Sequence, residues 1–350
     1  MNKKERVMTA LRCRVPDCVP YMYAFVDTEL QEAIVGHALP DYRFDLRWDP
    51  GEIMSPGDPP RRHLNYCVHP ETARRLDLDA LGMRFTVPVF AEGRLERSGY
   101  VLAKGLLQAP EDLAQVRMPD PDDDALYRPA EAFVKAFGGE YAIYAQIRLG
   151  ISPTLLGMGY EGFAYALADQ PGFVREVVAL YAEWNKRVIK NLIACGFDFL
   201  WSFDDVAFKT NSFCSPKALR EVFIRGLKET ARTITIPWIF HSDGNIRRIL
   251  DDLLELGMSA IHPLEPGTMD LDELKASYGK KLCLVGNIDI NHTLSTAPVE
   301  QVEREVRERI QQLGPGGGYI IADSNSVQYF CKPDNILAMA DAVARHRNIY

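Results

Sequence analysis

The chain has 350 residues, 47% hydrophobic and 25% charged, with 40 basic against 48 acidic side chains and a formal net charge of −8. That balance excludes a disordered chain and a general nucleic-acid binder, which would carry a basic excess. No apolar run reaches the roughly 18–20 residues of a membrane span, no apolar segment follows the polar start as in a signal peptide, and the seven cysteines, odd in number and without a CxxC, read as reduced cytoplasmic thiols.

Residues 19–25 (VPYMYAF) have strand composition and are expected to open the sheet. Residues 49–110 are expected to form an appendage. Within it, 49–62 is a proline- and glycine-rich loop, and 83–87 and 99–102 are short strands about a turn at Ala91-Glu92-Gly93. An acidic connector at 117–124 leads into a helix over 125–137. From residue 140 onward, apolar runs of strand length alternate with helical periodicity. Strands are expected at 141–148, 197–204, 236–241, 258–264, 282–287 and 318–323.

Helices fill the intervals. Phe173, Val177, Leu180, Trp184, Val188 and Leu192 recur every three or four residues over 171–195. Ser215-Pro216 reads as an N-cap with proline at the first helical position, opening a helix to about 232. Ile246 to Leu254 form an apolar face stopped by Gly257, and Val299 to Leu313 form another, stopped by Gly314-Pro315-Gly316-Gly317. Strands alternating with helices give a parallel sheet. Seven strands, with an eighth expected in the last thirty residues, predict a (β/α)8 barrel as one domain over 1–350. No GxGxxG or GxxxxGK[ST] follows a strand, so the usual nucleotide-binding sheet is disfavoured.

Nearly every expected strand ends on polar residues: Arg148, Asp204-Asp205, His241-Ser242-Asp243, Glu265, Asn287-Ile288-Asp289 and Asp323-Ser324-Asn325. In a barrel these ends converge on one mouth, where active sites lie. Each Asp, Asn or Ser alone reads as a helix cap, but capping requires neither His241, Arg148 nor Glu265. His241-x-Asp243 has metal-ligand spacing, with Asp323 or Glu265 as a third ligand. Alternatively, Asp243 orients the histidine or caps a helix near 246. Adjacent Asp204 and Asp205 would repel in a closed mouth, which suits acid/base work. Cys214, before an N-cap, reads either as an activated thiol or as a plain loop cysteine.

These motifs resemble the uroporphyrinogen decarboxylase superfamily, which also contains the cobalamin-dependent methyltransferases. The resemblance runs from Arg14-Val15-Pro16-Asp17-Cys18-Val19-Pro20 through Phe203-Asp204-Asp205, His241-Ser242-Asp243-Gly244-Asn245, Leu264-Glu265-Pro266 and Gly286-Asn287-Ile288-Asp289 to Gly317-Gly318-Tyr319-Ile320 and Pro333-Asp334-Asn335. It implies a (β/α)8 barrel. The decarboxylases carry an arginine motif of the form RQAGR after the first strand, whereas this chain has Phe25-Val26-Asp27-Thr28-Glu29-Leu30; their late histidine falls on or near Asn325. The methyltransferases hold zinc with His-x-Cys and a late cysteine. Here Asp243 stands for the first cysteine, and the late one again falls near Asn325.

The resemblance therefore implies a third branch with a harder, oxygen-rich site. Its expected activity is methyl transfer between a small substrate and a corrinoid carrier protein. His241, Asp243 and Asp323 would hold a divalent metal, zinc or another, and Asp204, Asp205 and His241 would be catalytic. Arg148, Glu265, Asn287, Asp289 and Asn325 would bind substrate. The alternatives are a cofactor-free decarboxylase acting on a tetrapyrrole or small acid, a homodimer in that branch, and a non-catalytic tetrapyrrole or corrinoid binder.

Overall fold

The computed structural model describes residues 1–40, 66–85, 87–96 and 99–350. The strands in chain order are β1 (Ala80–Arg84), β2 (Ala91–Glu96), β3 (Gly99–Gly105), β4 (Ala142–Ile147), β5 (Phe199–Phe203), β6 (Trp238–His241), β7 (Ala260–His262), β8 (Cys283–Ile288) and β9 (Tyr319–Asp323). Seven of them form one sheet in the order β1-β4-β5-β6-β7-β8-β9, and β2 and β3 pair separately as an antiparallel hairpin. Every pairing in the large sheet is parallel.

The seam between β9 and β1 is closed by residues near the N-terminus. Tyr21 makes a parallel bridge to Ile321. Met22 N–H donates to the Ile321 carbonyl at 3.2 Å, Ile321 N–H to the Pro20 carbonyl at 2.9 Å, and Asp79 N–H to the Tyr21 carbonyl at 2.8 Å. Residues 20–22 thus occupy the eighth position of a (β/α)8 barrel. Pro20, which has no N–H to give, limits this segment to isolated bridges.

Two apolar sets follow from the alternation of side chains along each strand. One fills the barrel interior and includes Tyr144, Phe199, Trp201, Ile239, Val285 and Ile320. The other packs strands against helices and includes Ile143, Leu200, Phe240, Ile261 and Ile321. Gly82 is required by this packing: a Cβ there would lie 2.1 Å from the fully buried Tyr144 ring, whose hydroxyl donates to the carbonyls of Tyr23 and Ala24. The opposite end of the barrel is clasped by the fully buried Asp79. It accepts from Arg6 at 2.6 Å, from Arg347 and from the Tyr21 N–H at 2.8 Å, while Arg347 Nε also reaches the Val19 carbonyl.

The later strands and the helices Asp124–Phe137, Pro171–Ala194 and Val299–Leu313 lie where periodicity places them. Three expectations are corrected. The missing strand is β1, inside the range assigned to an appendage; the last thirty residues instead hold the helix Pro333–His346. Ala91-Glu92-Gly93 is not a turn but the start of β2, with a bulge between Glu92 and Gly93. The Ile246–Leu254 face is helical only over Leu250–Leu254. The expected loop at 49–62 lies outside the described residues. Among the described residues, no helix is long and apolar enough to cross a membrane.

Candidate active site

The C-terminal strand ends surround a cavity of about 230 Å³ lined by Arg84, Gln146, Arg148, Phe203, Asp205, His241, Asp243, Asn325 and Ser326. The two-residue period explains most of this list. Tyr144 in β4, Trp201 in β5 and Ile239 in β6 point inward, so Gln146 and Arg148, Phe203 and Asp205, and His241 and Asp243 continue inward from them.

His241 is the centre of one wall. It is 3% exposed and stacks on Phe203 with ring centroids 4.3 Å apart. Its Nδ1 lies 2.7 Å from Nδ1 of His262, so one ring donates to the other. Its Nε2 faces Asp205 Oδ1 at 3.7 Å and Asp243 Oδ1 at 3.6 Å. Burial lowers the His241 pKa to about 4, against the pull of Asp205. Burial, then the neighbouring His241, holds His262 well below the ordinary histidine value. Both rings are therefore neutral at pH 7. With the proton of His241 on Nδ1 as donor, Nε2 offers its lone pair to the cavity.

The carboxylates are set by backbone and amide contacts. Asp205 Oδ1 accepts from the Asp243 N–H at 2.9 Å. Asp243 Oδ2 accepts from Asn325 Nδ2 at 2.5 Å, while Oδ1 is buried without a hydrogen-bond partner. Burial, followed by repulsion from Asp205 and Glu265, raises the Asp243 carboxyl to about 8. Ligand atoms of Asp205, His241 and Asp243 lie within 4.8 Å of one another, close enough to share one cation. One imidazole nitrogen and two carboxylate oxygens suit a hard or borderline divalent ion.

On the strands next to that wall, β4 and β1, stand two guanidinium groups. Arg148 Nε and Nη1 are buried and have no hydrogen-bond partner. Arg84, opposite Gln146 in the β1–β4 register, donates from Nε to Gln146 Oε1 at 3.2 Å and lies over the Phe25 ring at 4.6 Å.

Several expected site residues are elsewhere. Asp204 is fully buried on the other side of its strand from Asp205. It accepts from the N–H groups of Leu149 (2.6 Å), Gly150 (3.3 Å), Ile151 (2.7 Å) and Ser152 (3.0 Å) and from the Ser202 hydroxyl (2.6 Å). It thus holds the N-terminus of the helix Ile151–Met158. Asp323 follows Tyr319 and Ile321 toward the helix layer, where burial raises its carboxyl to about 8. Glu265 accepts from the Gly244 N–H at 2.9 Å, and Asp289 from the N–H groups of Asn291 and His292; both order loops. Asn287 is 2% exposed and donates to the Leu264 carbonyl at 2.6 Å. None of these five lines the cavity. Asp243 does not cap a helix, since the next one begins at Leu250. Burial raises the Cys214 thiol to about 11, which works against an activated thiolate there.

Arg84, Gln146 and His262 were not expected. Arg84 was assigned to an appendage. His262, in Ala260-Ile261-His262, sits at the same strand-end position as its register partner His241, and that parallel is the signal for it.

Comparison with known proteins fits this architecture. Residues 72–346 match the family described as Uroporphyrinogen decarboxylase (URO-D). The chain is 30% identical to uroporphyrinogen decarboxylase of Azoarcus sp. over 331 residues, 81% of this chain and 84% of that protein. It is 24% identical to methylcobamide:CoM methyltransferase MtaA of Methanosarcina barkeri over 151 residues, 43% of this chain and 42% of that protein. A methyltransferase from Methanosarcina mazei superposes with a TM-score of 0.73 at 16% identity, covering 99% of both chains.

Proposed function

The chain belongs to the uroporphyrinogen decarboxylase family, and from that premise we propose that it is a cytoplasmic enzyme moving a methyl group between a small substrate and a corrinoid carrier protein, with a divalent cation at Asp205, His241 and Asp243. The observation that carries this reading is the convergence of those three ligand atoms within 4.8 Å on one wall of the cavity. The donor set fits a cation: Asp243 Oδ1 is buried and unpartnered, and the imidazole facing it is neutral. When bound, the ion supplies Lewis acidity to one substrate heteroatom.

The chain's own residues do the rest. His262 fixes the His241 ring through Nδ1, and Phe203 covers one face of that ring. Asn325 holds Asp243 Oδ2, leaving Oδ1 for the site. Asp243, whose carboxyl titrates near 8, is the group able to hold a proton while no cation is present. At about 230 Å³ the cavity falls below the roughly 300–1,000 Å³ of most small-molecule sites, which favours a small substrate over a tetrapyrrole.

A second reading, metal-free decarboxylation of a small acid, draws on the unpartnered Arg148 beside Asp205. Titration of the purified protein with zinc and manganese separates the two. Methyl transfer predicts one cation per chain, lost in His241→Ala and Asp205→Asn, and chelator-sensitive methylation of cob(I)alamin followed by its visible spectrum. Equal cation uptake by wild type and His241→Ala would refute it, and no uptake by either would leave the decarboxylase reading.

A further inference from the structure

We propose that Arg84, Gln146 and Arg148 form a carboxylate clamp beside the cation-ligating wall, so that the substrate class is small organic acids. This rests on the assignment of the cavity as the active site, and it names the chemistry of the substrate's other end.

The argument starts from an electrostatic imbalance. A guanidinium stays charged at any ordinary pH, and a buried charge without a partner is costly. Among the described residues Arg148 has neither an ion pair nor, at its buried Nε and Nη1, a hydrogen bond, and its side chain lines the cavity. Its nearest acidic neighbours, Asp204 and Asp205, are committed to the backbone N–H groups of Leu149–Ser152 and of Asp243. Among the described residues Arg84 likewise makes no ion pair; Phe25 packs against its guanidinium and Gln146 takes its Nε–H. Because Gln146 Oε1 accepts from Arg84, its amide nitrogen remains as a donor beside the Arg148 fork. A family of donors so arranged is built for an acceptor that the described residues do not supply.

The nature of that acceptor follows from shape and charge. A planar carboxylate matches a guanidinium fork with two parallel N–H···O bonds. The neighbouring wall carries Asp205, so a dianion such as phosphate meets more repulsion than a monoanion in a cavity of only about 230 Å³. A monocarboxylate places one negative charge at the arginines and can direct a neutral group toward His241 Nε2. Neutral alcohols and cationic amines would leave Arg148 unsatisfied.

The test is calorimetric and is run in chelator, so that it does not depend on cation binding. The probes are benzoate and butyrate, with benzamide, butyramide and inorganic phosphate as their counterparts. Wild type should bind at least one of the two acids, with the amides and phosphate at least roughly 30-fold weaker. Arg148→Met should weaken acid binding by roughly 100-fold, as expected for loss of a bidentate charged pair. Arg84→Met should weaken it less, and Arg148→Lys should restore only part. Arg148→Met should also melt no lower than wild type, because it removes a buried charge whose Nε and Nη1 make no hydrogen bond rather than a structural contact. Equal binding of acids and amides, no binding of either acid, acid binding unchanged in Arg148→Met, or a lowered melting temperature in that variant would each overturn the clamp. Acid uptake without cation uptake or cob(I)alamin methylation would keep the clamp and sink methyl transfer. Cation-dependent methylation without acid preference would do the reverse.

Discussion

Replacement of Asp204 tests whether adjacent carboxylates divide into a structural and a functional one. Asp204 takes four buried backbone N–H groups and one hydroxyl. In Asp204→Ala, Leu149 N–H can fall back on Ser202 Oγ, already 3.3 Å away. Gly150, Ile151 and Ser152 lose their acceptor. A buried donor left unsatisfied costs about 1–3 kcal/mol. The two short bonds, from Ile151 and Ser152, together with the longer one from Gly150, bring the loss to about 3–5 kcal/mol. That is a large part of the roughly 5–15 kcal/mol that holds a domain together. Asp204→Asn keeps one oxygen for residues 150–152 and turns an NH₂ toward Leu149 and Ser202, at a cost of about 1–2 kcal/mol. Urea unfolding followed by tryptophan fluorescence measures both, and amide exchange at 149–152 should quicken first. Cation uptake by folded Asp204→Asn should match wild type, whereas Asp205→Asn should lose it with little change in stability. A loss below about 1 kcal/mol in Asp204→Ala, or loss of cation uptake in Asp204→Asn, would refute the division.

Two further outcomes are expected. The native carboxyls of Asp243 and Asp323 titrate near 8, above their unfolded values. Between pH 6.5 and 8 the native state therefore holds protons that the unfolded chain has lost, and stability of the cation-free protein falls as pH rises. Buried neutral His241 acts oppositely only from its pKa near 4 up to the ordinary histidine value near 6.5. Melting temperatures across pH 6.5–8 should show the fall, and cation should bind more tightly as pH rises, with release of a proton from Asp243. Finally, Gly82→Ala drives a methyl into the Tyr144 ring, which its hydroxyl contacts hold in place. The loss should be about 1–3 kcal/mol in urea unfolding, and Tyr144→Phe, which frees the ring, should recover part of it.

The later barrel was legible because its strands are buried on both faces and read as continuous apolar runs, as in Tyr319–Asp323 and Cys283–Ile288. Of the early strands, the opening segment at 19–25 was legible and β1 was not. Ala80–Arg84 is interrupted by Gly82, which reads as a breaker but is there to admit the Tyr144 ring. Residues 20–22 make bridges rather than a ladder because Pro20 cannot donate. At the site, His241, Asp243, Asp205, Arg148 and Asn325 were legible as polar residues at strand ends. Which of Asp204 and Asp205 faces inward was not, since it depends on a one-residue phase that both residue types satisfy. The expected third ligand, Asp323, fails on the same phase: it lies on the helix side with Ile321, and Asp205 takes the place beside His241.

The closing seam has a consequence for synthesis. The bridge from Tyr21 to Ile321 and the contacts from Val19 to Arg347 join residues some 300 positions apart. At roughly 5–20 residues per second, residues 20–22 wait about 15 to 60 s for β9 to be made. During that time residues 20–22 and, once made, β8 lack the neighbour that β9 will supply, and the strand edges they present are open to other chains. The cavity cannot take its final shape before then either, because Asn325, which holds Asp243, is synthesised after β9. The nascent protein should therefore depend most on protection from aggregation late in translation, and ligand binding should begin only once nearly the whole chain has left the ribosome.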